Sequence, residues 1–224
     1  MQNAKLKIVY ENEDVLVIDK PAGIVTSDLY SDLKKVHRLD KDTSGILLIA
    51  KNEKALNFLQ KQFKDREVKK KYLALIVGKL KNNQGVIETL IGRNPKDRKK
   101  QRVFLPAAPS AKGKREAITE YKVRERFSAP KGRDLAEGGK DYTLVEVSPK
   151  TGRKHQIRCH FSYLGYPIAG DKMYGFKNQP CPKGLNRQFL HANYIKIKLP
   201  GGKTKEFFSE LPNDLEKILE KLRY

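Results

Sequence analysis

A chain of 224 residues with 47 Lys+Arg against 26 Asp+Glu carries a formal charge of +21, and its 38% hydrophobic residues supply a core that a disordered basic tail lacks. No stretch approaches the roughly 20 apolar residues that span a bilayer, the N-terminus has no signal-peptide core, and two cysteines, Cys159 and Cys181, are too few for a disulfide framework. A soluble, cytoplasmic protein with a polyanionic partner is the class left standing, with RNA or DNA ahead of acidic protein or membrane surfaces.

The first elements expected are two short strands, Leu6 to Tyr10 and Val15 to Ile18, around the polar turn Glu11-Asn12-Glu13-Asp14, then a loop from Pro21 to Asp32. Gly45 to Ala50 (GILLIA) is a continuous apolar run of strand length, the kind buried on both faces. Asn52 caps a helix expected from Glu53 to about Glu67, with Ala55, Leu56, Leu59 and Phe63 on one side. A buried strand, YLALIVGKL, follows at once.

Residues 81 to 118 read as a basic excursion with turns at Asn82-Asn83, Asn94-Pro95 and Pro106 to Gly113; an excursion of this length in a compact domain is usually functional. Arg93, Lys96, Arg98, Lys99, Lys100 and Arg102 crowd into it against one acid, Asp97, with further clusters at Lys69-Lys70-Lys71 and at Lys112, Lys114 and Arg115. Thr119 to Arg126 and Tyr142 to Val147 alternate as strands around a hairpin loop at Pro130 to Lys140. Thr151 to Leu164 reads as a helix with Ile157, Phe161 and Leu164 as its apolar stripe and Gly165 as its stop. A last hairpin, Phe189 to Leu199 and Thr204 to Phe208 around Pro200-Gly201-Gly202, precedes a helix bearing Leu215, Ile218, Leu219 and Leu222. This order fits an α+β fold, a central mixed and mostly antiparallel sheet flanked by helices, in one domain over 1–224.

Cofactor signatures are missing. Gly201-Gly202-Lys203-Thr204 lacks the glycine that a phosphate loop places five residues before Gly202, and no Gly-x-Gly-x-x-Gly follows a strand. The two cysteines and the pair His155 and His160 have no zinc-type spacing, so no metal and no cofactor is expected.

Two dense polar segments remain. Val36-His37-Arg38-Leu39-Asp40-Lys41-Asp42-Thr43-Ser44-Gly45 enters the buried GILLIA strand with more charge than a structural turn needs. The second is Thr151-Gly152-Arg153-Lys154-His155-Gln156-Ile157-Arg158-Cys159-His160, running on to Gly165-Tyr166-Pro167-Ile168-Ala169-Gly170-Asp171; helical spacing would set His155 and Arg158 on one face.

Together HRLDKDTSGILLIAK, KKYLALIVGKL, IGRNPKDRKKQRV, TGRKHQIRCHFSYLGYPIAGDKMYG and RQFLHA resemble the RluA family of RNA pseudouridine synthases, five segments in the family order from about Ile8 to Phe208. Many relatives carry an N-terminal S4 domain, for which this chain has no expected room. The resemblance implies the pseudouridine synthase catalytic fold with 81 to 118 as a basic hairpin arm, and isomerisation of specific uridines in structured RNA after base flipping. Asp40 would be the catalytic aspartate; attack at C1′ and assisted elimination through a glycal are both open to a carboxylate there. Arg158 resembles the arginine that pairs with that aspartate bidentately, Tyr72 the tyrosine that stacks on the target base, and Leu190 the apolar residue across the ring. Arg38 would fill the space vacated by the flipped base, His37 would support its loop, Thr43 and Ser44 would shape the turn, and Arg93, Arg98, Lys99 and Lys100 would meet RNA phosphates. Large-subunit ribosomal RNA is the expected substrate and transfer RNA the alternative, for an enzyme expected to be a monomer without metal. An RNA-binding protein that has lost the reaction, and a metal-free ribonuclease using His37, His155 or His160, are the competing classes.

Overall fold

Alternation along two neighbouring strands explains the first unit of the fold. In the computed structural model, which describes residues 6–30, 32–128 and 141–224, strand β2 (Val15–Lys20) lies antiparallel to β4 (Ser44–Ala50) with Val15 opposite Ala50 and Lys20 opposite Gly45. Val15, Val17, Ile46 and Leu48 point to one face, where α1 (Glu53–Lys64) lays Ala55 and Leu59 against them. Leu16, Ile18, Leu47 and Ile49 point to the other, where Leu29 and Leu39 cover them. Successive strand side chains face opposite sides of a sheet, so a strand covered on both must read as an unbroken apolar run. GILLIA does so for this reason, and every residue of β4 is buried.

This unit comprises Met1–Tyr72 and His191–Leu211. Around β2 and β4 it adds β1 (Lys7–Glu11) antiparallel to β2, the two-residue β3 (Lys34–Lys35) antiparallel to β4, and β10 (Leu190–Lys198) parallel to β4 with His191 opposite Ser44. The hairpin with β11 (Thr204–Phe208) forms as expected. Asn52 caps α1 by accepting from the Ala55 N–H at 2.8 Å. The helix stops at Lys64 rather than Glu67 because Arg66 takes a left-handed φ of 62° and the Glu67 N–H returns to the Gln62 carbonyl, a Schellman-type end.

The second unit comprises Leu73–Leu190 and Pro212–Tyr224, which the chain enters along β5 (Lys69–Val77). Here β8 (Arg115–Phe127) pairs antiparallel on one side with β6 (Gln84–Arg93) and on the other with β9 (Tyr142–Pro149), while β6 also pairs with β7 (Gln101–Phe104). The segment read as a basic excursion is therefore about half sheet, with turns between its strands. Its concentrated charge falls on the β6–β7 loop and on the connection from β7 to β8. The loop read at Pro130 to Lys140 lies outside the described residues.

Helix α2 spans Gln156–Tyr163, not Thr151 to Leu164. His155, its N-cap, sits in the left-handed region at φ 55°, and Thr151 accepts the work of bending the chain: its hydroxyl donates to Gln156 Oε1 at 2.7 Å and accepts from the Ile118 N–H at 3.0 Å. His155 and Arg158 consequently do not share a helix face as the spacing predicts. Gly165 ends the helix with φ 81°, as expected. Helix α3 (Asn213–Arg223) buries Leu215, Ile218, Leu219 and Leu222. No helix among the described residues is long and apolar enough to cross a membrane.

Candidate active site

The loop from Val36 to Ser44 is fixed by alternate anchoring. Val36 and Leu39 are buried in the clusters on opposite faces of β4, leaving Arg38 exposed between them with no ion pair among the described residues, and Asp40 half-buried beyond. Backbone and side chain then lock the turn. Thr26 Oγ1 donates to the Leu39 carbonyl at 2.8 Å and accepts from the Leu39 N–H at 3.2 Å. The Thr43 N–H closes onto the Asp40 carbonyl at 3.1 Å, and the Gly23 N–H meets the Lys41 carbonyl at 2.9 Å.

Lys20 completes this arrangement. Its side chain is fully buried, and Nζ donates to the carbonyls of Pro21 at 2.7 Å, Ile24 at 2.9 Å and Lys41 at 3.0 Å. A buried ammonium needs such partners, and these three tie the loop after β2 to the residue following Asp40. Behind the turn, Ser44 Oγ and His191 Nδ1 lie 2.9 Å apart, and His191 Nε2 lies 3.1 Å from the Ser209 carbonyl. That carbonyl can only accept, so Nε2 carries the hydrogen and the Ser44 hydroxyl donates to Nδ1.

His37 packs behind the loop. Its ring stacks on Phe63 with centroids 4.9 Å apart, and Nε2 accepts the Leu48 N–H at 3.1 Å. Burial, aided by the nearby Lys70 ammonium, pushes its pKa down to about 3, so the ring is neutral at physiological pH. Tyr72 packs against the cluster that contains Leu39 and Leu47. Burial first, and the Asp40 carboxylate second, push its phenol well above the usual tyrosine range. The hydroxyl therefore keeps its proton beside Asp40.

Arg158 lies in the first turn of α2, in the second unit. Arg158 makes a bidentate fork with Asp171: Nε to Oδ2 at 2.7 Å and Nη2 to Oδ1 at 2.9 Å. Asp171 Oδ1 also accepts the N–H groups of Met173 at 2.9 Å and Tyr174 at 3.0 Å. Burial acts to raise the Asp171 carboxyl, but the Arg158 hydrogen bond and charge and the two N–H groups outweigh it and hold the group below the ordinary carboxylate range. The Tyr174 ring supports the Arg158 guanidinium at 5.1 Å, and its hydroxyl accepts the Gln101 N–H at 2.7 Å at the start of β7. Leu190 is buried at the start of β10.

On the β6–β7 loop, the Lys96 N–H donates to Asn94 Oδ1 and the Lys99 N–H to Asp97 Oδ1, each at 3.0 Å, while the Asn94 N–H meets the Lys100 carbonyl at 3.1 Å. These turns fold the loop on itself and leave Arg93, Arg98 and Lys99 exposed; Lys100 is half-buried near Asp97. Among the described residues no group of three or more His, Cys, Asp or Glu side chains is gathered as a metal site, and Cys159 and Cys181 are free thiols.

Sequence reasoning missed Lys20, Thr26, His191, Asp171 and Tyr174. The run Gly170-Asp171-Lys172-Met173-Tyr174 carries a signal for Asp171, since an Asp whose oxygen caps backbone N–H groups two and three residues on is ordinary turn chemistry. Lys20 carries none, because nothing local marks a lysine that turns inward.

The pattern that defines the RNA pseudouridylate synthase family matches residues 14–163. Over 97% of its length the chain is 36% identical to "Uncharacterized RNA pseudouridine synthase YlyB" of Bacillus subtilis, covering 73% of that protein. It is 36% identical over 96% of its length to "Ribosomal large subunit pseudouridine synthase C" of Vibrio vulnificus, and 35% identical over 97% to the enzyme named D in that series from Nitrosomonas europaea, covering 69% and 65% of them. Among solved structures, "Human RNA Pseudouridylate Synthase Domain Containing 1" superposes with a TM-score of 0.76 at 27% identity, covering 100% of this chain and 98% of that one.

Proposed function

Because the chain belongs to the RNA pseudouridylate synthase family, in its RluA branch, we propose that it isomerises uridine in structured RNA to pseudouridine, with Asp40 as the catalytic aspartate. The observation that carries this reading is the pinned loop: a half-buried carboxylate at the head of a fully buried strand, beside a tyrosine that keeps its proton. The reaction breaks the bond from C1′ to N1 of the base and forms one from C1′ to C5. N1 gains a proton and C5 loses one, so substrate and product are isomers and no co-reactant is consumed.

In this mechanism the Asp40 carboxylate either attacks C1′ as nucleophile or takes the C2′ proton as base for elimination of uracil from C1′, and Tyr72 stacks on the uracil ring. A protonated phenol suits that place, because a phenolate beside Asp40 would add a second negative charge. Extruding the uridine costs a few kcal/mol of stacking, and Arg38, exposed and with no ion pair among the described residues, is suited to enter the gap. Arg158 is the proposed partner of the aspartate by resemblance; Asp171 and Tyr174 hold its guanidinium rigid. Leu190 is assigned to the ring's other face on the same basis. Arg93, Arg98, Lys99 and Lys100 meet phosphates. Large-subunit ribosomal RNA is the proposed substrate, on the names of the relatives from Vibrio vulnificus and Nitrosomonas europaea.

Incubation with uridine-labelled total RNA, followed by nucleoside analysis of intact product, tests the proposal. The protein should form pseudouridine and Asp40→Asn should form none while binding RNA with unchanged affinity. Turnover surviving in Asp40→Asn would refute the assignment, and cleaved RNA would point to a nuclease instead.

A further inference from the structure

A groove of about 410 Å³ opens in the second unit between β7 and α2, within the size range of ligand pockets. Arg102, Val103, Phe104, Cys159, Tyr163 and Tyr174 are among its lining residues; Val103, Phe104, Cys159 and Tyr174 are buried and Tyr163 is exposed. All belong to the second unit, and apart from Tyr174, whose ring supports Arg158, none is assigned a role in the reaction. Tyr163 is 50% exposed and the adjoining Leu105 55% exposed, large side chains left facing solvent where burial would stabilise them. Two cations gather beside the groove: the Arg102 guanidinium, which lines it, lies 5.7 Å and the Lys114 ammonium, outside the lining, 5.0 Å from the centroid of the Phe104 ring.

This combination narrows the ligand. Among the described residues no acidic side chain lines the groove. A bare phosphate would use the cations and leave the aromatic side chains without purpose, whereas an apolar peptide would use those side chains and strand the cations. An unstacked nucleotide uses both, its base on an aromatic face and its phosphate on Arg102 or Lys114. Covalent chemistry is not at issue, because burial pushes the Cys159 thiol up to about 12 and keeps it neutral. The Tyr174 hydroxyl, which accepts the Gln101 N–H at 2.7 Å, also ties the lining of the groove to the strand that leaves the basic loop.

We propose that this groove binds one extrahelical nucleotide of the RNA, a second base-binding site apart from the uridine that reacts. The inference rests on the reading of the chain as an RNA-modifying enzyme, but its test does not require turnover. The probe is a short single-stranded oligouridylate carrying one 2-aminopurine, whose fluorescence falls on aromatic stacking; the protein has no Trp to interfere. The full chain should quench it, and Tyr163→Ala should weaken binding by about tenfold, the scale of one lost base stack. Tyr163→Phe should restore both quenching and affinity. Heparin, a polyanion without bases, should bind Tyr163→Ala as well as the unaltered protein.

Unchanged affinity and quenching in Tyr163→Ala would overturn the proposal, as would an equal loss of heparin and oligonucleotide binding, which marks an ordinary cationic surface. A groove that takes an apolar peptide instead would give no 2-aminopurine response, and that too would overturn it. Asp40→Asn should quench the probe as the unaltered protein does. Failure to form pseudouridine would therefore sink the isomerase reading while leaving the stacking result to stand or fall by itself.

Discussion

His160 has no solvent exposure, and each ring nitrogen meets a threonine hydroxyl: Nε2 lies 3.0 Å from Thr89 Oγ1 and Nδ1 lies 2.9 Å from Thr119 Oγ1. Burial pushes its pKa down to about 4 from an ordinary 6.5. In the unfolded chain the ring takes up a proton as pH falls through 6.5, and the folded chain refuses that proton until about pH 4. Stability is thus fully present above 6.5 and declines across this window by about 1.4 kcal/mol per pH unit for each such ring. His37, pushed down to about 3, extends the decline further. Urea unfolding between about pH 7 and pH 4 should show this slope, and His160→Gln should flatten it by one histidine's share. A slope unaltered in that variant would contradict the neutral buried ring. Histidine chemistry was only half legible in the sequence. The five-residue spacing of His155 and His160 already argues against a pair on one helix face, but neither the left-handed backbone at His155 nor the burial of His160 between two threonines has a local sequence signal.

At the scale of elements, β4 shows what a parallel partner demands. Gly45 has φ 116°, and a Cβ there would lie 2.2 Å from the Ala192 carbonyl oxygen on β10. Backbone cannot yield as a flexible side chain can. Gly45→Ala should cost about 3 kcal/mol or more, from overpacking and a forced φ together. Gly165, with φ 81° and open space where its Cβ would go, should cost only about 1 kcal/mol on the same substitution. Denaturant midpoints of the two variants test the ranking, and equal losses would refute it. The elements themselves were largely readable, because apolar periodicity and cap residues are local signals: α1, α3, β4 and the last hairpin stand where the pattern puts them. The start of α2 was not, since Thr151 to His155 carries helix-compatible residues whose backbone is claimed by bonds to Gln156 and Ile118. Nor could the sequence distinguish a basic excursion from basic strands, because β6 and β8 owe their pairing to residues some 30 positions apart.

Across the whole molecule, the charge of +21 divides by role. Lys20 is turned inward, Arg158 is committed to Asp171, and Arg98 and Lys99 stand out on a loop that its own Asx turns stiffen. Only the last kind can release counterions from RNA. Replacing Arg98, Lys99 and Lys100 together by Gln should weaken RNA binding and reduce the slope of log K against log salt by about 2 to 3, without loss of turnover at saturating RNA. Filter binding over a salt series would measure it, and a collapse of turnover at saturation with affinity intact would contradict this division. Net charge announced a polyanion from composition alone; which cations face it depends on burial, which composition does not record.

The first unit is assembled from the two ends of its sequence, Met1–Tyr72 and His191–Leu211. During synthesis the N-terminal part must therefore wait while Leu73–Leu190 is made, on the order of ten seconds at ribosomal elongation rates. Until then Ser44 has no His191 to bond and Gly45 no Ala192 to lie against. The loop bearing Asp40 gains its last wall only after residues 191 and 192 have been made, so a nascent chain that stalls before residue 191 exposes an unfinished strand edge rather than an early enzyme.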